Sequence, residues 1–384
     1  MRIAYVLLDP GIGVFGTKGA SVHVQEVVRA LRADGHDVTV FCTRTDEHVP
    51  DDLADLDVRR RRLPRGSGPE REAAVAAAAA DIAAEIAAGG FDLAHERYSL
   101  FSDVLARLAA PADGATIPAI PGILEVNAPL VDEQRDHRSL HDEAGARAAT
   151  ARQLAAARVV SCVSPQVAEW ARTEGAAPER VVVTPNGVNT ARITPRPTGE
   201  RAAAGPVAVG FVGTLKPWHG THLLLEALAR TTGDLRLEIV GTGPEHERLV
   251  RLADQLGLAG RVHLHGALAP ERVPGVLHGL DIAVAPYPAG DHYFSPLKVY
   301  EYLAAGLPVV ASSIGTIPSL LRNGELGVLV PPGDVEALAA ALDALAADPG
   351  ARARLGRAAR ETAVAEHDWR SRCRDLLELA GVAA

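Results

Sequence analysis

The segment that decides the fold is FSPLKVYEYLAAGLPVVAS, residues 294 to 312. Pro296 stands where a helix can begin without losing a needed N–H group, which predicts a helix over residues 298 to 305. The apolar run over residues 308 to 311 predicts a buried strand after that helix. We expect free amides of Leu297, Lys298 and Val299 to point out of the helix start, where the helix dipole adds to them. The segment therefore predicts an anion site.

A glutamate and the scarce lysines favour a phosphate-bearing ligand that also carries hydroxyl groups. Of the 39 lysine and arginine residues only three are lysines, and each lies in a loop of small residues: Lys18, Lys216 and Lys298. Lysine is a compact charge on a flexible stem, well suited to holding phosphate beside backbone N–H groups. Glu301 can reach the same place. Because a carboxylate repels phosphate, we expect Glu301 to accept hydrogen bonds from ribose hydroxyls; the alternative is a helix-dipole glutamate without a ligand.

Strand-like and helix-like runs alternate twice along the chain. The first half predicts buried strands at residues 2–8, 38–42, 120–126, 159–163 and 180–184, with helical stretches between them. After a stretch without an apolar run, a second alternation begins at residue 207. This pattern predicts an α/β chain with two doubly wound, Rossmann-like domains. Ligands of such sheets bind at the carboxyl ends of the strands, here in the cleft between the domains.

The same pattern gives the expected domain boundaries. We expect a first domain over residues 1–188 and a linker, rich in proline and arginine, over residues 189–205. A second domain follows over residues 206–366. The final helix, within residues 367–384, is expected to pack back on the first domain.

The composition disfavours several partners. The formal net charge of −9 argues against nucleic acid and against an anionic membrane surface as the main partner. No apolar run reaches the length of a membrane span and no signal-peptide pattern precedes the first strand, so we expect no stable membrane insertion. The three cysteines are scattered, which suits neither a disulfide framework nor a metal site and favours the reducing cytoplasm.

Five motifs, in the right order, resemble those of the retaining glycosyltransferases of family 4, which have the GT-B fold. Residues 294–312 resemble the C-terminal signature of that family. Residues 213–220 resemble the first loop of its second domain, and residues 240–245 resemble the next loop. Residues 184–188 resemble the motif that closes its first domain, and residues 16–21 its N-terminal glycine loop. The likeness runs through nearly the whole chain.

This resemblance implies a nucleoside diphosphate sugar as co-substrate, bound by the second domain, and no further cofactor. The residues expected at the donor lie in the matching loops and at the predicted helix start: Gly213, Thr214, Lys216, His219, Gly241, Gly243, Ser295, Leu297, Lys298, Val299 and Glu301.

Three of these positions depart from the family pattern. Tyr293 stands where the first of two glutamates normally helps to hold the donor sugar, and Asp291 or backbone amides are the candidates to replace it. Thr214 and His219 stand where the family usually has the Arg and Lys that hold the diphosphate. Lys216 is the expected replacement, with help from His219.

The first domain is expected to supply the acceptor side. Asn127 follows a predicted strand at the position where a histidine of the family often lines the reaction centre, and Glu125 lies nearby. Glu96 and Arg97 are expected after another strand, either facing the acceptor or paired with each other. The N-terminal glycine loop adds a last group, in which Lys18 either lies near the diphosphate or acceptor or is solvated: Gly16, Lys18 and Gly19.

We therefore expect a glycosyltransferase of the hexosyltransferase type that transfers a sugar with retention to a hydroxyl of a natural product, glycolipid or other small-molecule or glycan acceptor. Lys216, Asn127 and Glu301 are the expected catalytic residues. No metal-binding constellation is visible in the sequence, which predicts a metal-independent reaction. A sugar-nucleotide epimerase or phosphorylase on the same frame, and a non-catalytic subunit that binds a nucleotide sugar, remain open.

Overall fold

The computed structural model describes residues 1–66, 68–109, 119–137, 139–197, 205–290 and 292–382. The chain divides into two compact units, which we call the first unit (Met1–Pro185 with Trp369–Ala384) and the second unit (Asn186–Asp368). Each unit is built on one sheet whose neighbouring strands pair in parallel. The two doubly wound α/β sheets predicted from the sequence are therefore confirmed.

The sheet of the first unit has seven strands among the described residues. They are β1 (Arg2–Leu7), β2 (Asp37–Cys42), β3 (Asp57–Arg60), β4 (Leu93–Arg97), β5 (Gly122–Val126), β6 (Val159–Cys162) and β7 (Val181–Val183). The helices between them are α1 (Gly19–Ala33), α2 (Pro69–Ala88), α3 (Val104–Ala109), α4 (Leu130–His137), α5 (Glu143–Ala156) and α6 (Pro165–Thr173). The strand order is β3-β2-β1-β4-β5-β6-β7, so the order reverses between β1 and β4. Doubly wound sheets form their ligand crevice at the carboxyl ends of the strands beside such a reversal.

The sheet of the second unit has six strands among the described residues. They are β8 (Val207–Val212), β9 (Leu235–Val240), β10 (Val262–Gly266), β11 (Ile282–Ala285), β12 (Val309–Ser312) and β13 (Gly327–Val330). The helices are α7 (Thr221–Arg230), α8 (His246–Gln255), α9 (Val273–His278), α10 (Leu297–Ala304), α11 (Ile317–Leu320), α12 (Val335–Ala347) and α13 (Pro349–Glu366). The order is β10-β9-β8-β11-β12-β13, so the reversal lies between β8 and β11.

Apolar side chains on both faces explain why these strands form a buried parallel sheet. In β11, Ile282 and Val284 belong to one hydrophobic cluster while Ala283 and Ala285 belong to another. Side chains alternate between the two faces of a strand, so a strand covered on both sides is apolar throughout. The helix α10 packs into one cluster through Leu303, and α7 packs into the other.

The final helix, α14 (Trp369–Leu379), belongs to the first unit. Its Arg370 Nε lies 2.9 Å from Asp34 Oδ1, and its Arg374 Nε lies 2.8 Å from Asp34 Oδ2. Because Asp34 directly follows α1, these contacts hold the C-terminal helix at the end of α1. Among the described residues, each helix is too short or too polar to span a membrane.

Two local expectations are corrected. Residues 189–197 of the predicted linker pack on the second unit, because the side chain of Ile193 is buried in its core and Arg196 donates to the carbonyl of Leu280. Residues 198–204 of that linker lie outside the described residues. Glu96 and Arg97 lie within β4 rather than after a strand.

Candidate functional site

Glycines bring the loops after β8 and β9 into direct contact. A Cβ atom on Gly241 would lie 1.9 Å from the carbonyl oxygen of Gly213, and one on Gly243 would lie 2.3 Å from that of Leu215. No side chain fits at these distances, so both positions need glycine for the two loops to pack. The two loops therefore form one surface at the carboxyl edge of the sheet, beside the reversal between β8 and β11.

Lys298 is buried beside this surface. Its Nζ lies 4.4 Å from the ring centroid of Phe211 and 5.1 Å from that of Tyr287, and its side chain passes Gly213 so closely that a Cβ there would lie 3.0 Å from Cε. Among the described residues, this Nζ has no hydrogen-bond partner. Burial lowers the pKa of Lys298 to about 7, although the negative charge of Glu301 opposes the shift. The site thus holds a lysine amine that two aromatic rings accompany and that no described residue hydrogen-bonds.

The start of α10 differs from the sequence-based expectation in one amide. The N–H of Val299 donates to the carbonyl of Pro296 at 2.9 Å, so the prediction of a free Val299 amide is wrong. Pro296 precedes the helix as its N-cap residue and offers no capping side chain, so the amides of Leu297 and Lys298 remain the candidates for a ligand.

The hydroxyl of Ser295 is occupied within the second unit. Its Oγ accepts from the backbone N–H of Asn186 at 2.9 Å and donates to the Tyr300 hydroxyl at 3.2 Å. The side chain of Asn186 donates back to the Ser295 carbonyl at 2.7 Å. This residue therefore ties the loop before α10 to the start of the second unit, and a ligand contact is left to its backbone.

Glu301 has a cationic neighbour that the sequence did not reveal. Arg192 Nη2 lies 3.7 Å from Glu301 Oε1, and both side chains are about one-fifth exposed. Arg192 lies in the segment predicted as a linker, which gave no signal of its proximity to α10. An arginine at this distance helps to keep the carboxylate ionised and leaves it able to accept hydrogen bonds from hydroxyl groups.

His219 does not supply positive charge. Its Nδ1–H donates to the Thr214 carbonyl, which leaves Nε2 as a hydrogen-bond acceptor. Burial, followed by the nearby positive charge of Lys298, lowers the pKa of His219 to about 3. The ring is therefore neutral at pH 7, so His219 does not add positive charge to that of Lys216 at the diphosphate. Lys216 itself is half-buried, with Nζ 5.4 Å from the ring centroid of the exposed Trp218.

In the first unit, Glu125 lies at the centre of a buried polar cluster. Its Oε1 lies 2.8 Å from His23 Nε2 and 2.8 Å from Arg97 Nη1, and it also accepts from the Asn127 side-chain amide. Its Oε2 lies 3.3 Å from His95 Nε2. Burial raises the pKa of a carboxyl group, but the contacts with His23, His95 and Arg97 hold that of Glu125 well below its usual value. The structure thus brings together three of the acceptor-side candidates, Glu125, Arg97 and Asn127.

Glu96 does not join them. Neighbouring residues on a strand point to opposite faces, so Glu96 faces away from Arg97 and accepts from the Ser102 hydroxyl. The side chain is fully buried, and burial raises the pKa of Glu96 to about 7. Both alternatives for Glu96 are therefore wrong: it neither pairs with Arg97 nor lies with the acceptor-side candidates.

The N-terminal glycine loop is held by side chains of the same unit. Gln25 of α1 donates through Nε2 to the carbonyls of Val14 and Gly16, at 2.9 and 3.0 Å. Lys18 is exposed and precedes α1, whose first residue is Gly19.

Tyr293, which replaces the usual sugar-binding glutamate, is half-buried, and its proposed substitute Asp291 lies outside the described residues. His23 and Arg192 are the site residues that the sequence did not indicate, since neither lies in a motif or in a loop after a strand.

Known proteins are similar to this chain in sequence and in fold. The family model described as Glycosyltransferase Family 4 matches residues 17–192, and that described as Glycosyl transferases group 1 matches residues 199–362. The D-inositol 3-phosphate glycosyltransferase of Acidothermus cellulolyticus is 31% identical over 91% of this chain and 82% of its own.

Solved structures support the fold. A sucrose-phosphate synthase from Thermosynechococcus elongatus superposes with a TM-score of 0.74 at 24% identity, covering 99% of this chain and 98% of its own. The structure of Anabaena Alr3699/HepE in complex with UDP superposes with a TM-score of 0.75 at 20% identity. The match covers 99% of this chain and 100% of the Anabaena chain. With the curated relative and both family models in agreement, the chain belongs to family 4 of the GT-B glycosyltransferases.

Proposed function

We propose that this glycosyltransferase takes its sugar from a nucleoside diphosphate sugar and that Lys298 is the cation that meets the diphosphate. The observation that carries this proposal is a buried ammonium group without a hydrogen-bond partner among the described residues. A buried charge without a partner costs several kcal/mol, on the order of 3 to 5. A diphosphate oxygen supplies the missing partner.

The surroundings of Lys298 support a phosphate in particular. The residue is the second of α10, so its Nζ is near a helix start, and helix starts favour anions. The closely packed glycine loops after β8 and β9 leave backbone rather than side chains at the surface. Lys216 adds a second, less buried cation in the first of these loops.

The names of similar proteins agree with such a donor. Structures of Anabaena Alr3699/HepE contain UDP and UDP-glucose. The relative from Acidothermus cellulolyticus is named a D-inositol 3-phosphate glycosyltransferase, after a small molecule that carries hydroxyl groups. We assign to this chain a hydroxyl-bearing acceptor, either a natural product, a glycolipid or another small metabolite. We also assign to Glu301 a contact with the ribose of the donor.

The proposed reaction retains the configuration at the anomeric carbon and uses no metal. The bond from the anomeric carbon to the diphosphate oxygen breaks, and a bond to the acceptor oxygen forms on the same face. The acceptor proton passes to a phosphate oxygen of the departing nucleoside diphosphate. Lys298, Lys216 and the first amides of α10 stabilise the charge that develops on that group.

The test is turnover of a donor panel by the purified protein. UDP, GDP, ADP and dTDP sugars are supplied with and without hydroxyl acceptors, and nucleotide release and glycosylated product are measured. We expect one donor class to be turned over, and Lys298→Met to lower kcat/KM about 100-fold or more. Arg357→Met, which removes an exposed cation of α13, is the matched control and should leave turnover unchanged. No turnover of any donor, or a Lys298→Met variant within threefold of wild type, contradicts the proposal.

A further inference from the structure

The carboxylate of Glu125 is surrounded by side chains of its own unit. Arg97 of β4 and Asn127, just after β5, donate hydrogen bonds to its Oε1. The Nε2 atoms of His23 and His95 lie 2.8 and 3.3 Å from its two oxygens. Glu125 is 5% exposed. The adjoining cavity of about 10 Å³, which His23 and His95 also line, admits one water molecule at most and no sugar. Glu125 therefore lacks the space to act on a substrate itself.

The ionised carboxylate determines which way the amide of Asn127 faces. A carboxylate without a proton only accepts hydrogen bonds, so the atom of Asn127 beside it must be Nδ2. The ionised carboxylate therefore distinguishes the nitrogen of this amide from its oxygen, two atoms that have similar shapes. The Oδ1 atom then faces away from Glu125.

We propose that Glu125 is a positioning residue that fixes the Asn127 amide so that Oδ1 accepts a hydrogen bond from a substrate hydroxyl. The inference rests on the proposed function, in which the chain past β5 lies at the acceptor side. The substrate group that contacts Asn127 Oδ1 is then a hydrogen-bond donor, such as a hydroxyl of the sugar or of the acceptor, and not a phosphate or a carboxylate. Arg97 and His23 act through Glu125 by holding it ionised and in place.

A double-mutant cycle tests whether Glu125 acts through Asn127. We expect Asn127→Ala and Glu125→Gln each to lower kcat/KM by about 10- to 100-fold, and the double variant to be within threefold of the worse single variant. Nucleoside diphosphate affinity should stay at the wild-type value throughout. Multiplying losses in the double variant, or a Glu125→Gln variant with wild-type activity, overturns the inference.

Two further variants separate positioning from simple stabilisation of the fold. Glu125→Gln leaves Arg97 buried without a charge partner and can unfold the protein, whereas Glu125→Asp keeps the charge and withdraws the carboxylate from Asn127. We expect Glu125→Asp to fold and to lose activity like Asn127→Ala. Glu96→Gln is the matched control, because it changes another fully buried carboxyl group of the same unit that contacts Ser102 instead. It should keep wild-type turnover.

The wild-type protein gives an independent readout. In side-chain amide NMR spectra, assigned with Asn127→Ala, one Nδ2 proton of Asn127 should exchange slowly with water and resonate downfield of the range of solvated asparagine side chains. Two Nδ2 protons with the shifts and the rapid exchange of a solvated asparagine contradict the inference even if no Glu125 variant folds. If Asn127→Ala is fully active while Lys298→Met is not, the role of Asn127 fails and the donor site of the proposed function stands.

Discussion

Replacing Lys298 by methionine should make the unliganded protein more stable while removing its affinity for diphosphate. The Lys298 ammonium is buried between Phe211 and Tyr287 and has no hydrogen-bond partner among the described residues. Methionine fills similar space without a charge. Most substitutions of fully buried residues destabilise, so the expected sign is unusual and diagnostic. A stabilising substitution is expected here only if the lysine serves to bind a ligand and not to stabilise the fold.

The expected increase in the free energy of unfolding is calculated from the pKa of Lys298. Burial lowers this pKa from 10.5 to about 7, which corresponds to roughly 5 kcal/mol at about 1.4 kcal/mol per pH unit. That figure is an upper bound, because water and side chains relax around a buried charge. Replacing buried ionic groups by apolar ones stabilises by about 1–4 kcal/mol in other proteins, and we expect a gain in this range.

The gain should depend on pH. The unfolded lysine titrates near pH 10.4 and the folded one near pH 7, so folding releases a proton between these values. The cost of burial is therefore full below pH 7 and disappears as the pH rises towards 10.4. Relative to wild type, Lys298→Met should be most stabilising at pH 6, and most of this difference, at most roughly 3 kcal/mol, should be lost at pH 9.5.

Urea unfolding of the full chain at pH 6 and pH 9.5 measures this difference. Arg357→Met is again the control, since an exposed arginine carries little burial cost and should give a small effect at both pH values. A Lys298→Met variant that is less stable than wild type at pH 6, or a stability difference independent of pH, would refute the reasoning.

Four other predictions concern the reaction. Lys216→Ala should lower kcat/KM by about 100-fold, because a cation at the developing diphosphate charge is lost; a change below threefold in steady-state assays would reject this role. Glu301→Gln should weaken nucleotide binding by roughly 1.5–3 kcal/mol in calorimetry, and an unchanged affinity would leave Glu301 as a helix-start residue that pairs with Arg192. Turnover should survive EDTA, since α10 and the lysines supply the positive charge; loss of activity that Mg²⁺ restores would contradict the metal-free scheme. Asn127→Asp should be less active than Asn127→Ala in kcat/KM, because its carboxylate faces that of Glu125, and an Asp variant more active than Ala would show that a base is wanted there.

The fold was readable because local signals agree with one another. Pro296, the apolar run after Gly306 and the alternation in the first half each predict short buried strands and helices, and the structure contains them. The packing of Ile193, in the predicted linker, has no such local signal. A single buried apolar residue among prolines carries no periodicity, yet it packs fully into the core of the second unit.

The environment of the candidate site was less readable because it depends on contacts between distant segments. The pairing of Glu125 with His23 joins β5 to α1, and the Arg192 contact with Glu301 joins residues more than 100 positions apart. Neither spacing nor composition encodes such a pairing. The neutral state of His219 likewise follows from burial and from Lys298, both of which appear only when the loop after β8 is folded.

The most direct test of the central claim is whether diphosphate binding delivers a proton to Lys298. At pH 8 the buried amine is mostly neutral, since its pKa is about 7, and an adjoining diphosphate favours the charged form. Calorimetric titration with the preferred nucleoside diphosphate, in two buffers of different ionisation enthalpy, counts the protons taken up. We predict uptake of close to one proton by the wild type and none by Lys298→Met, whose affinity should also be at least tenfold lower. Binding without proton uptake, or equal uptake and affinity in both proteins, would contradict the assignment of Lys298 to the diphosphate.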